Sequence, residues 1–61
     1  MLHVTEYGSN RKLTILSDKI LHLEKLSYRD GTTVTVITFI NDKTVHVLES
    51  LNFIEGKLRN N

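Results

Sequence analysis

The sequence predicts a mainly β fold of the α+β class, a small antiparallel sheet of four to five strands with one C-terminal helix, in a single domain spanning residues 1–61. Three observations lead there. Turn-forming clusters at Gly8-Ser9-Asn10, Asp30-Gly31 and Asn41-Asp42 separate runs that alternate apolar and polar residues, as strands with one wet face do. One run, residues 32–40, is dominated by Thr, Val, Ile and Phe, whose branching or ring bulk suits a pleated surface. After Leu48 the apolar period lengthens from two to that of a helix.

The first run, residues 2–7, sets Leu2 and Val4 against His3 and Thr5, and residues 12–16 repeat the pattern with Leu13 and Ile15, so the two form a half-buried hairpin. Ser17-Asp18-Lys19 interrupts as a tight turn. Residues 20–27 then place Leu21 and Leu23 opposite His22 and Glu24, which reads as a strand; Ile20, Leu23 and Ser27 also fit a helical spacing, so a helix beginning at Ser17 is the competing reading. Asp-Gly at positions 30 and 31 is a strong hairpin signal, because both residues tolerate positive φ.

In residues 32–40, Val34, Val36 and Ile40 share one parity and Ile37 and Phe39 the other. A strand apolar on both faces is central in its sheet or covered by a partner chain. Residues 43–48 return after Asn41-Asp42, with Val45 and Val47 facing one way and Thr44 and His46 the other. Leu51, Ile54 and Leu58 make the stripe of a short amphipathic helix capped by Ser50, with Glu55 and Arg59 as a favourable i, i+4 pair. Gly56 weakens that helix by about 1 kcal/mol relative to Ala. It must lie on the sheet to persist, and Phe53, about 100° from Ile54 around the axis, overhangs the stripe as a contact candidate.

A chain of 61 residues buries only about 60% of the surface its unfolded form exposes. With no cysteine, disulfides and thiolate metal sites are excluded, and self-association is the remaining support for so thin a core. A homo-oligomer is expected, with Val34, Val36, Ile37, Phe39 and Phe53 as interface candidates. The net charge of +1 lacks the clustered positive field of a domain held by nucleic-acid phosphates. No apolar run approaches the roughly 20 residues of a membrane span, and the polar His3, Thr5 and Glu6 break any signal-peptide core. The expected location is the cytoplasm of the cell that makes or hosts the chain.

No motif carries chemistry, so the chain is expected not to be an enzyme and to use no cofactor. His3, His22 and His46 come from three strands and lack the spacing of metal ligands; solvent-facing strand residues is the simpler reading. Ser9, Ser17, Ser27 and Ser50 sit at turns or element ends, where local capping accounts for them. Asp30 and Asp42 are turn residues, Glu6, Glu24, Glu49 and Glu55 are scattered and read as solvated charges, and the glycines are too far apart for a phosphate loop. Arg11, Lys12, Lys19, Lys25 and Arg29 are the candidate nucleic-acid contacts, with Tyr7 and Tyr28 available for stacking. Interleaved Glu6, Asp18, Glu24 and Asp30 nearly cancel their field.

Residues 17–58 resemble two groups of small bacterial modules. Val36-Ile37-Thr38-Phe39, followed by Asn41, Lys43, Val45, Val47 and Glu49-Ser50, is similar to the FlbD-type flagellar accessory proteins, and residues 2–5 fit the same pattern. That resemblance implies a short chain of hairpins with a C-terminal helix. Asp18, Ile20, Leu23 and Glu24, with Ser50, Leu51, Ile54, Glu55 and Leu58, resemble the core of the LytTR DNA-binding domain. The sequence stops where that family continues into its DNA-contacting segment, so no functional residue is carried over.

The expected function is therefore a non-catalytic protein-binding or regulatory module acting as a homo-oligomer, its partner met by a sheet edge or the outer face of the long strand. A nucleic-acid-binding regulator of LytTR-like kind, or an inhibitor of a host protein from a phage or other mobile element, are the alternatives.

Overall fold

A computed structural model of the protein describes residues 1–60, which form β1 (Leu2–Thr5), β2 (Lys12–Ile15), a 3-10 turn (Ser17–Lys19), β3 (Ile20–Ser27), β4 (Thr33–Phe39), β5 (Thr44–Val47) and α1 (Leu51–Arg59). The residues expected as a helix from Ser17 or a strand from Ile20 thus divide: one 3-10 turn, then a strand with a bulge between Ile20 and His22. β3 matches its run of residues 20–27, whereas the other four strands are a little shorter than theirs, because the terminal residues bend into the loops.

The three hairpin loops use the residues that turn chemistry demands. In residues 29–31, the Gly31 N–H donates to the Tyr28 carbonyl at 3.1 Å, the Thr32 N–H donates to the Asp30 carboxylate at 2.9 Å, and Gly31 takes φ 93°. Residues 40–42 repeat the design: the Asp42 N–H donates to the Phe39 carbonyl, Asn41 Oδ1 accepts from the Lys43 N–H, and Asp42 takes φ 70°. Both are three-residue hairpin loops closed by a residue at positive φ. In the first hairpin, Gly8 and Asn10 supply the positive φ angles.

Instead of the single sheet of four to five strands expected, there are two antiparallel sheets, β1-β2 and β3-β4-β5. They meet at one corner, where Glu6 bridges Val47, the Tyr7 N–H donates to the His46 carbonyl at 2.8 Å and the Leu48 N–H donates to the Thr5 carbonyl at 2.9 Å. The reason is burial. A flat five-stranded sheet with a helix as short as α1 would leave much of its apolar face wet, whereas folding the β1-β2 hairpin over lets both sheets share one interior.

That interior gathers Leu2, Val4, Ile15, Ile37, Val47 and Ile54. Register explains the selection. Ile37 pairs Val45 on one side and Leu23 on the other, and Thr35 pairs Val47, so one parity of β3, β4 and β5 faces inward and α1 lies against it. Ser50 caps the helix as expected, its Oγ accepting from the Phe53 N–H at 3.1 Å. Of the stripe, Ile54 is fully buried and Leu51 and Leu58 are partly so. The expected Glu55–Arg59 pair is not made. The ion pair found among the described residues joins Arg11 to Glu6 at 3.1 Å, and Lys57 lies over the Phe53 ring at 5.4 Å instead. No described helix is long and apolar enough to cross a membrane.

Candidate protein-contact surface

The hydrogen-bond phase of the central hairpin decides which backbone groups are free. The Tyr28 N–H donates to the Thr32 carbonyl, so Tyr28 and Thr32 are a hydrogen-bonded pair. Alternation along an antiparallel ladder then turns the backbone polar groups of His22, Glu24 and Leu26 toward β4 and those of Leu23, Lys25 and Ser27 away from it. Among the described residues no strand pairs with that outer side of β3. An unpaired edge is a template for another strand. Two leucines on this strand remain exposed, Leu21 at 56% and Leu26 at 36%. The other outermost strand, β2, is half as long.

The outward face of β3-β4-β5 is built from the opposite parity. Leu26 pairs Val34, Glu24 pairs Val36, and Val36 pairs His46. Tyr7, fixed to His46 by its N–H, and Tyr28, beyond the end of β3, stack with ring centroids 5.5 Å apart at 20°. Rings rooted on opposite sides of β4 can meet only across it, at the end where Val34 lies. An open cleft of about 480 Å³ lies between Thr33, Val34 and Thr35 of β4 and Leu48, Ser50 and Leu51 at the entry to α1, with Lys25 also lining it.

Five residues were expected at an interface, and the structure divides them. Val34 and Ile37 are 1% and 0% exposed; they belong to the chain's own packing and are not available to a partner. Phe39 is half-buried against the core, and Val36 is half-buried on the outward face. Phe53 is exposed on α1. On the second apolar face of β4, Val34 is therefore covered by the chain itself and Val36 partly so. Exposed apolar side chains include Leu21 and Leu26 on β3 and, elsewhere, Tyr7, Tyr28, Ile40 and Leu48. Alternation could have marked Leu21 and Leu26 as strand residues, but no sequence signal said that β3 would be outermost.

Two of the candidate nucleic-acid contacts are engaged within the chain, and the other three lie on separate elements. Arg11 donates through Nε and Nη2 to the Glu6 carboxylate, and Lys12 Nζ donates to Thr5 Oγ1 at 3.1 Å. Lys19 lies in the 3-10 turn, Lys25 on β3 and Arg29 in the following loop. The Ser9 hydroxyl, donating at 2.6 Å, and the Arg11 guanidinium hold the Glu6 carboxyl below its ordinary value. Two backbone and side-chain donors from Thr32 act on Asp30 in the same direction.

Glu49 is not the solvated charge its position suggested. Its carboxylate accepts from the Thr5 N–H at 2.8 Å and the Thr5 hydroxyl at 3.0 Å, while its carbonyl accepts from the Thr35 hydroxyl at 2.8 Å. One residue thus ties β1, β4 and the start of α1 together beneath the contact surface. Among the described residues no three His, Asp or Glu side chains come together to hold a metal. His3 instead shares a hydrogen bond with Thr14 across the first hairpin at 3.2 Å. The Ser17 hydroxyl is buried without a hydrogen-bond partner, so it has no base beside it of the kind a nucleophile needs.

Comparison of the chain with protein-family models, characterised proteins and solved structures finds no match.

Proposed function

We propose that the chain is a non-catalytic binding module that acts as a homo-oligomer and meets a protein partner through an open sheet edge or the adjoining outward face. On this reading it is a small regulator working in the cytoplasm of the cell that makes or hosts it. The observation that carries the proposal is the free side of β3, where the backbone groups of Leu23, Lys25 and Ser27 have no strand beside them among the described residues and Leu21 and Leu26 stand exposed. Strand addition at such an edge gives affinity through main-chain hydrogen bonds and selectivity through alternate side chains.

Sedimentation velocity at chain concentrations up to tens of micromolar tests the oligomer. A dimer or higher species is the expected result, and a monomer throughout would remove the oligomeric part of the reading. Partner binding is tested separately by pull-down from the native host. Capture that is lost when Leu26 is replaced by Lys, on the rim between edge and face, supports the surface named here; capture unaffected by that change refutes it.

A further inference from the structure

The open side of β3 has one register in which it fits itself. Resting on the homo-oligomeric reading above, we propose that two copies of the chain join through β3, antiparallel, with Leu23 of one copy opposite Leu23 of the other. The result is a continuous sheet in the order β5-β4-β3-β3-β4-β5, which closes this edge and leaves the outward face for the protein partner.

Geometry first limits the registers. A two-fold axis perpendicular to the sheet keeps the core faces of both copies on the same side, so residues of like parity must oppose one another; a slip by one residue would turn one copy's inward residues to solvent. Registers centred on Leu23 or on Glu24 use nearly the whole of β3 (Ile20–Ser27), and shifts further along lose pairs at both ends.

Charge then chooses between the two. Centring on Glu24 sets the two Glu24 carboxylates directly opposite each other and Leu23 against Lys25. Centring on Leu23 sets His22 opposite Glu24 twice, once on each side of the axis, so an imidazole N–H meets a carboxylate in both places. The free backbone groups of Leu23 make this central pair a hydrogen-bonded one. The flanking His22 and Glu24 positions are then non-hydrogen-bonded pairs, whose Cα atoms approach to about 4.5 Å and whose side chains are closest. At each end, Leu26 of one copy reaches the bulge that carries Leu21 of the other, and two exposed leucines acquire cover. Neither His22 nor Glu24 makes a side-chain hydrogen bond with the described residues of its own chain; both are exposed on the outward face.

The chain contains no cysteine, which permits a direct test of the register. His22→Cys and Glu24→Cys variants, mixed in equal amounts and mildly oxidised, are expected to yield the mixed disulfide dimer as the main cross-linked product. Only opposite residues fall within the roughly 4.4–6.8 Å Cα separation a disulfide needs; Glu24 and its own counterpart sit on a diagonal of about 7–8 Å. Glu24→Cys joining chiefly to itself, or a sedimenting dimer that gives no mixed product, overturns the register and leaves the oligomer standing. A monomer at tens of micromolar removes both. As an affinity check, Glu24→Lys should raise the dimer dissociation constant about tenfold by removing both paired contacts, and combining it with His22→Glu should restore it. No recovery in the double variant counts against the pairing.

Discussion

Removing the Glu49 side chain should damage the fold more than any other single change to a charged residue. The carboxylate holds the Thr5 N–H and hydroxyl at 2.8 and 3.0 Å, and Thr5 is only 8% exposed. Glu49→Ala therefore leaves a buried backbone donor and a hydroxyl with no protein partner on that side. Hydrogen bonds to a charged group contribute about 1.5–3 kcal/mol each. Because Glu49 is only half-buried, the pair together is worth roughly 2–4 kcal/mol. A chain of this length holds only about 3–9 kcal/mol in all, at roughly 0.05–0.15 kcal/mol per residue. The expected fall in Tm is about 10–25 °C, since each kcal/mol moves a domain of this size by roughly 4–8 °C. Glu49→Gln keeps an acceptor for the Thr5 N–H, and the hydroxyl can reverse to accept from the amide, so its cost should stay near about 1 kcal/mol. Thermal and urea unfolding followed by far-UV circular dichroism measures both, at one fixed chain concentration because the proposed dimer would make Tm concentration-dependent. An Ala variant as stable as the parent, or a Gln variant as damaged as the Ala variant, would refute the argument that the carboxylate clasps β1 to the helix entry.

Three further outcomes follow from local geometry. Gly56→Ala should stabilise the chain by up to about 1 kcal/mol, because a Cβ at that helical position meets nothing within 4 Å; a loss in urea midpoint contradicts this. Gly31→Ala should cost about 1–2 kcal/mol in the same assay, since a Cβ there also meets nothing within 4 Å but the backbone sits at φ 93°, and a neutral result would mean that the loop re-forms without the positive φ. The Glu6 carboxyl should titrate below its ordinary 4.5 when followed by NMR. Because the folded value is depressed, the help it gives the first hairpin is present above the unfolded pKa and is lost as pH falls through the folded one. Ser9→Ala and Arg11→Ala should each move that titration upward, because both side chains hold the carboxylate in its charged form; a variant that leaves it in place would count against its contact.

The regular elements were legible because their signals are local. A period of two places Leu2, Val4, Leu13 and Ile15 on one side of a hairpin whatever lies beyond it. Gly31 and Asp42 mark loops because few residues accept positive φ, and Ser50 announces α1 through a bond to a backbone N–H three residues on. The contact surface was far less legible. Apolar content alone suggested β4 as the strand needing outside cover, yet Val34 on its second face is already buried within the chain. The strand with a free side proved to be β3, whose sequence looks like that of any half-exposed strand.

The sequence by itself indicated four to five strands, their turns, the capped helix and the absence of thiol chemistry, since periodicity, turn residues and composition act over a few neighbouring positions. Only the tertiary structure decided that the strands divide into two sheets joined at Glu6 and Val47, that Val34 and Ile37 are interior, and that Glu49 clasps Thr5. Each of these joins residues far apart in the chain, Thr5 to Glu49 or Tyr7 to Tyr28. Pairings at such separation follow from how one small interior closes over its apolar residues, a condition on the whole chain that no single segment carries.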